Sequence, residues 1–411
     1  MTSLHVDAVR ALFPALARTE SGRPVAYLDG PGGTQVPTGV IEAMARCLER
    51  GVSNLGGPFG ASRDAEATVT AAREAAADLV GGRPSEVAFG QNMTSLTFAM
   101  SRALARGWGP GDEVVVTRLD HDANVTPWRL AAADRGVGVK VVDFDPADGT
   151  LDLEQMARVV GERTRLVAVA AASNALGTVP PVRQVADLAH AAGALVYVDA
   201  VHFAPHRLID VAELGADFLV CSAYKFYGPH TGVLWGREAL LGQAEAYKVV
   251  PAPNRGPDKW ETGTQSFESL AGVAAAVEYL ASLGEGAERR ERLRSGLAAA
   301  RRHEEALAAR FLDGIAGMPR LRLYGLADPR RLAERTPTFA LSVEGMRPDE
   351  AAHRLGTQGI HSWSGDYYAV GVMEHLGLAE RGGLLRIGFV HYNTGEEVDR
   401  VLAALAGLPG N

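Results

Sequence analysis

"ALVYVDAVHFAPHRLIDVAELGADFLVCSAYKFYGPHTGVLWG", residues 194–236, decides how the rest of the chain is read. It contains three short apolar runs. "ALVYVDAV" (194–201) and "DFLVCSA" (217–223) have the length and composition of buried strands. "TGVLWG" (231–236) follows the second run too closely for a helical crossover, so it is expected to pair antiparallel. Between the last two runs a single lysine, Lys225, sits among tyrosines and a Gly-Pro turn.

The same pattern continues upstream. "EVAFG" (86–90), "EVVVTRL" (113–119), "VKVVDFD" (139–145) and "RLVAVAAAS" (165–173) are apolar runs bounded mostly by Gly, Asp or Pro. Helical stretches such as "MTSLTFAMSRALARG" and "VRQVADLAHAAG" lie between them, the second closed by a C-terminal Gly. The alternation implies βαβ units and an α/β fold with a mostly parallel sheet covered on both faces. From about residue 285 the pattern changes to a long charged helix, then the strand-like runs "RLRLYG", "TPTFALSVEG" and "LLRIGFVHY". The expected organisation is an N-terminal segment (1–25), a large domain (26–284) and a smaller α+β domain (285–411).

At 411 residues the chain suits more than one core. Its net charge of −8 is spread without a basic stripe, which argues against nucleic acid. The start "MTSLHVDAVRALFPALARTE" shows no secretory pattern, and no run is long enough to span a membrane, so a cytoplasmic protein is expected. Cys47 and Cys221 match neither a disulfide framework nor a zinc spacing and read as buried structural residues.

In parallel sheets ligands bind beyond the carboxyl ends of the strands. The polar residues at those ends are Thr94 and Ser95, His121, Asn174, Asp199 with His202, and Ser222 with Lys225. Each has an ordinary explanation alone. A Thr-Ser pair caps a helix, a lone His satisfies a loop, and "DHD" lacks the second cluster that a metal site needs. As a set they fit pyridoxal phosphate. Hydroxyls at a helix N-terminus suit a phosphate, and a strand-end carboxylate suits a ring nitrogen. An imidazole can stack on a flat ring. A lysine in an apolar setting has a lowered pKa and can form a Schiff base.

The chain resembles the class V aminotransferase family, on the fold type I scaffold of pyridoxal-phosphate enzymes, and its cysteine desulfurase-like branch. The blocks carrying the resemblance occur in order over nearly the whole length: "YLDGPGGTQVP", "SNALGT" (173–178), "VYVDAVH" (196–202), "SAYKFYGPHTG" (222–232) and "LLRIGFVHYNT" (384–394). The resemblance implies that Lys225 carries the cofactor and moves protons, Asp199 pairs with the ring nitrogen and His121 stacks on the ring. It implies further that His202, where relatives usually have Gln, lies near the 3-oxygen, and that Asn174 lies near the 3-oxygen or the substrate carboxylate. Thr94, Ser95 and Ser222 would hold the phosphate. Tyr224 replaces a His of many relatives. Thr264 would reach the partner site in a homodimer, and Arg386 would bind the substrate α-carboxylate bidentately.

One departure matters. Desulfurases carry a mobile cysteine before the final strand, whereas "GIHSWSGDYYAVGVMEHLGL" (359–378) has none. That disfavours a persulfide mechanism. β-Elimination from cysteine or an S-substituted cysteine ranks first, with the "HSWSGDYY" loop and Tyr367 or Tyr368 around the leaving group. Epimerisation, as in isopenicillin N epimerase-like members, and transamination or decarboxylative deamination remain open. So does a non-catalytic binding protein on the same fold, although Asp199, Lys225 and Arg386 argue against it. "GGPFGASR" follows no strand, so a dinucleotide site is not expected.

Overall fold

A computed structural model describes residues 4–20 and 22–409; the parts of the expected segments that fall on 1–3, 21, 410 and 411 lie outside the described residues. The apolar runs become β1 (Val87–Gly90), β2 (Glu113–Thr117), β3 (Gly138–Val142), β4 (Thr164–Ala170), β5 (Leu195–Asp199), β6 (Phe218–Ser222) and β7 (Gly232–Gly236). They form one seven-stranded sheet in the order β1-β7-β6-β5-β4-β2-β3. Only β7 runs against its neighbours, pairing antiparallel with β1 and β6. The short link after Lys225 therefore does what its length required.

Alternation along the strands sends side chains into two apolar layers. Val196 and Val198 face a layer with α2 (Gly60–Val80), α5 (Val182–Ala191) and α6 (Phe267–Ser282). Tyr197 faces the other layer with α3 (Met93–Leu104) and α4 (Thr126–Arg135). Both layers exclude water, which is why the strands read as nearly continuous hydrophobic runs. α1 (Thr38–Glu49) packs on α6.

The long charged helix is α7 (Arg289–Ala316). Beyond it lies an antiparallel sheet of β8 (Leu321–Tyr324), β9 (Thr338–Val343), β10 (Trp363–Gly365) and β11 (Leu384–Gly388), in the order β8-β9-β11-β10. Phe311, Phe339 and Phe389 interlock beneath it, with the first two ring centroids 4.5 Å apart. Residues 361–368 are not wholly the expected loop: Trp363, Ser364 and Gly365 pair with Arg386, Leu385 and Leu384. Beside this sheet Ala26–Tyr27 pairs parallel with Ile360–His361 as a separate two-stranded sheet, and Asp29 is bridged to Gly388. Cys221 is buried as expected, but Cys47 is only half-buried, on α1 beside a surface groove. Among the described residues no helix is long and apolar enough to cross a membrane.

Candidate active site

The carboxyl ends of β1, β2, β4, β5 and β6 supply the polar residues named above, and the small sheet adds Arg386 from β11. The first wall is the start of α3. Its N-cap is Asn92, whose side chain accepts from Ser95 N at 2.9 Å while Ser95 Oγ donates to Asn92 O at 2.9 Å. Ser95 is thus partly spent on capping, which leaves Thr94 as the freer hydroxyl. Ser222 Oγ accepts from Met93 N at 3.0 Å and ties β6 to this helix start. The approach depends on Gly232, because a Cβ there would lie 2.5–2.8 Å from Asn92 backbone atoms. Backbone N–H groups and hydroxyls collected at a helix N-terminus form an anion cradle.

Asp199 ends β5, buried, and accepts one hydrogen bond, from Val201 N at 2.9 Å. Burial raises its pKa to about 6, against the opposing effects of that bond and of Lys225. It has no ion-pair partner among the described residues, so the carboxylate is suited to an incoming cation. A second buried carboxyl, Asp120, was not singled out from sequence. Thr117 Oγ1 and Asn124 Nδ2 donate to it at 2.5 and 2.6 Å. Its pKa is pushed well above the usual range by burial, with Asp199 adding to the rise. The next residue, His121, accepts from Ala123 N through Nδ1 at 3.0 Å. Burial, then the charges of Lys225 and Arg386, lower its pKa to about 4, so the ring is neutral.

Lys225 sits in the turn after β6, and its Nζ donates to Pro31 O. Burial first, then Arg386, lowers its pKa to about 7, against the opposing pull of Asp199 and Asp29. The turn is braced from several sides. Thr34 donates to Tyr224 O through N and Oγ1, and Tyr227 N donates to Thr34 Oγ1 at 2.9 Å. Tyr227, at φ 70°, is a left-handed residue of this turn, just before Gly228 and Pro229. Its hydroxyl is anchored on His391 Nδ1 at 2.8 Å, and His391 Nε2 meets Tyr279 OH at 2.5 Å. Burial lowers the pKa of His391 to about 3, so a neutral imidazole links the two phenols. His391→Phe, which leaves both phenols unpaired in the core, is expected to cost ~2–4 kcal/mol in urea unfolding. A loss below about 0.5 kcal/mol would show the triad to be idle.

The remaining candidates divide. Arg386 is buried, donates through one terminal nitrogen to Asn174 O at 2.8 Å, and lies 4.2 Å from the Tyr367 ring centroid. Asn174 Nδ2 donates to Tyr367 O at 2.8 Å, and its buried Oδ1 has no partner. Tyr368 stacks on His121 with centroids 5.4 Å apart. Tyr224 stacks on His230 at 4.9 Å and lies 5.0 Å from Lys225 Nζ. His202 points Nε2 at Thr338 and Thr336 hydroxyls, 2.9 and 3.2 Å away. Thr264 is exposed in the loop before α6, outside this contact network.

These residues fit pyridoxal phosphate on their own chemistry: an anion cradle, an unpaired buried carboxylate, a neutral imidazole and a lysine that is half-neutral near pH 7.

Comparison with known proteins agrees. Residues 26–401 match the family model Aminotransferase class-V. A cysteine desulfurase of Pectobacterium atrosepticum is 32% identical, over 98% of each chain. An aminotransferase-like protein of Gibberella zeae is also 32% identical over 98% of each chain. Among solved structures, an apo cysteine desulfurase from Thermococcus onnurineus superposes with a TM-score of 0.87 at 27% identity, covering 99% of this chain and 98% of that one.

Proposed function

This chain belongs to the aminotransferase class-V family and is a pyridoxal-phosphate enzyme similar to cysteine desulfurases, and from that membership we propose that it is a C–S lyase. The overall reaction converts an S-substituted cysteine and water into a thiol, pyruvate and ammonium. The observation that carries this reading is the loop after β10. Tyr367 and Tyr368 stand there against Arg386 and His121, and no thiol is at hand. Cys221 is buried inside β6 with its pKa pushed up by burial, and Cys47 lies on α1 beside a different groove. Without an acceptor thiol, sulfur must leave on its own carbon substituent or as sulfide.

When bound, pyridoxal phosphate withdraws electrons from the Cα bonds of the amino acid that it holds. In this reading the N-terminus of α3, Thr94, Ser95 and Ser222 take the phosphate, and Tyr224 borders it. Asp199 holds the ring nitrogen and His121 covers the ring. Asn174 borders the 3-oxygen and the substrate carboxylate, and His202 serves the 3-oxygen; with His202 Nε2 on the threonines, a protonated Nδ1 is the donor left for that task. Arg386 fixes the α-carboxylate. Neutral Lys225 Nζ removes the Cα proton, and the departing sulfur takes a proton on the Tyr368 side. Thr264, exposed before α6, is the residue proposed to reach the second site of a homodimer.

The depressed Lys225 pKa gives a pH prediction. Only the neutral amine attacks an aldehyde, so cofactor capture by the cofactor-free protein should rise about tenfold per pH unit and level off above about pH 7. Stopped-flow absorbance measures it, and a rise that continues to pH 10 would mark an ordinary lysine. The reaction itself is tested by a product screen with cysteine, small thioethers and larger S-conjugates. Thiol with pyruvate and ammonia is expected. Cα deuterium exchange without pyruvate would replace the reading by epimerisation, and a keto acid that retains its sulfur would replace it by transamination.

A further inference from the structure

Two large aromatic side chains remain open to solvent at this site: Trp363 is 53% exposed and Tyr368 70%. Trp363 lies directly opposite Arg386 in the β10–β11 pairing, so both side chains leave the sheet on one face as close neighbours. The indole rests on the Gly32 backbone, where an added Cβ would come within 2.6 Å of Nε1. Gly32 adjoins Pro31, whose carbonyl takes the Lys225 amine. Trp363 therefore spans from the arginine to the lysine's own support.

Tyr368 stacks on His121, the imidazole that ends the β2 loop. Tyr367 and Tyr368 are consecutive left-handed residues, each at φ 57°. That backbone costs roughly 1–2 kcal/mol per residue for a side chain of this kind. It persists because the large-sheet loops hold it. Asn174 Nδ2 donates to Tyr367 O at 2.8 Å and Asp122 N to Tyr368 O at 2.7 Å. Tyr368 N donates to Asp366 Oδ1 at 2.9 Å. Strain held in place this way aims a ring at a particular spot.

We propose that Trp363 and Tyr368 are the facing walls of a side-chain subsite for a flat, unsaturated substituent, an aryl or heteroaryl group on the β-sulfur of the substrate. The inference rests on the reading of this crevice as an amino-acid site. Two π-faces at a mouth beside Arg386 reward stacking, and an aliphatic substituent gains less there. S-methylcysteine is too short to use both walls.

The test compares S-phenylcysteine with S-methylcysteine on the holoenzyme, by KM in thiol release because benzenethiol is intrinsically the better leaving group, and phenylalanine with alanine, by titration of the cofactor absorbance. The second pair needs no C–S cleavage. Wild type should favour the aryl member of each pair by at least about tenfold. W363A and Y368A should each bring both ratios to within about threefold of one, and Y368F should retain them. Selective binding of phenylalanine with no thiol release from any substrate would keep the subsite and sink the lyase reading. Equal treatment of aryl and methyl members by wild type, or ratios that survive both alanine variants, would overturn the subsite.

Discussion

Lys225→Ala is expected to lower kcat by at least about 10³-fold and to abolish borohydride labelling of the chain. The wild-type holoprotein should be yellow and should trap its cofactor on Lys225. The substitution is informative because the amine does little for the fold: among the described residues its hydrogen bond goes to Pro31 O. Thr34, Tyr227 and His391 hold the turn without it. Urea unfolding should therefore stay near wild type while turnover collapses. Cofactor should still bind through the anion cradle, without a covalent link. Small primary amines should restore part of the rate, since the missing function is an unprotonated nitrogen. Residual activity within tenfold of wild type would remove Lys225 from the centre of the chemistry.

Asp199→Asn should have the next largest effect, a drop of roughly 10²–10³-fold in kcat with weaker cofactor retention. Asparagine can keep the bond from Val201 N, so the loss isolates the charge. The pH sign follows from a carboxyl raised to about 6. Above that pH it is ionised and can hold a protonated ring nitrogen. As pH falls through about 6 it takes up a proton and the attraction disappears. Wild-type cofactor affinity should therefore decline on acidification through that value. The Asn variant should lack that step, which equilibrium dialysis would measure. A variant with wild-type kcat and the same acid step would show that another group controls ring protonation.

Much of this framework was legible because each feature had a local cause. Runs such as "LVAVA" are apolar throughout since both faces of β4 are covered, and the short span from Lys225 to Gly232 leaves room only for reversal. The strand-end polar residues follow from the parallel sheet itself. What escaped the sequence depends on partners far along the chain. Tyr227 takes the left-handed conformation beside a glycine because Thr34 and His391, distant in sequence, restrain it. Trp363–Gly365 is too short to read as a strand until Leu384–Arg386 lies beside it. Asp120 passed as part of a polar loop, although its position just past a Val-rich strand and before His121 was a usable signal. Asn92 likewise has the composition of an N-cap, two residues ahead of the Thr94–Ser95 pair.

The N-terminal strand carries a consequence for how the protein comes into being. Pro31, which supports the Lys225 amine, is held by Asp29 against Gly388 and by Ala26–Tyr27 against Ile360–His361. A ribosome makes Pro31 well before Gly388, with the whole large sheet synthesised between them. Every strand of the large sheet has been synthesised by residue 236, yet the lysine's support cannot be seated until some 150 further residues have emerged. A nascent chain thus holds its amine without its final surroundings while those residues are made, and the closing of the small sheet is the event that finishes the cofactor pocket.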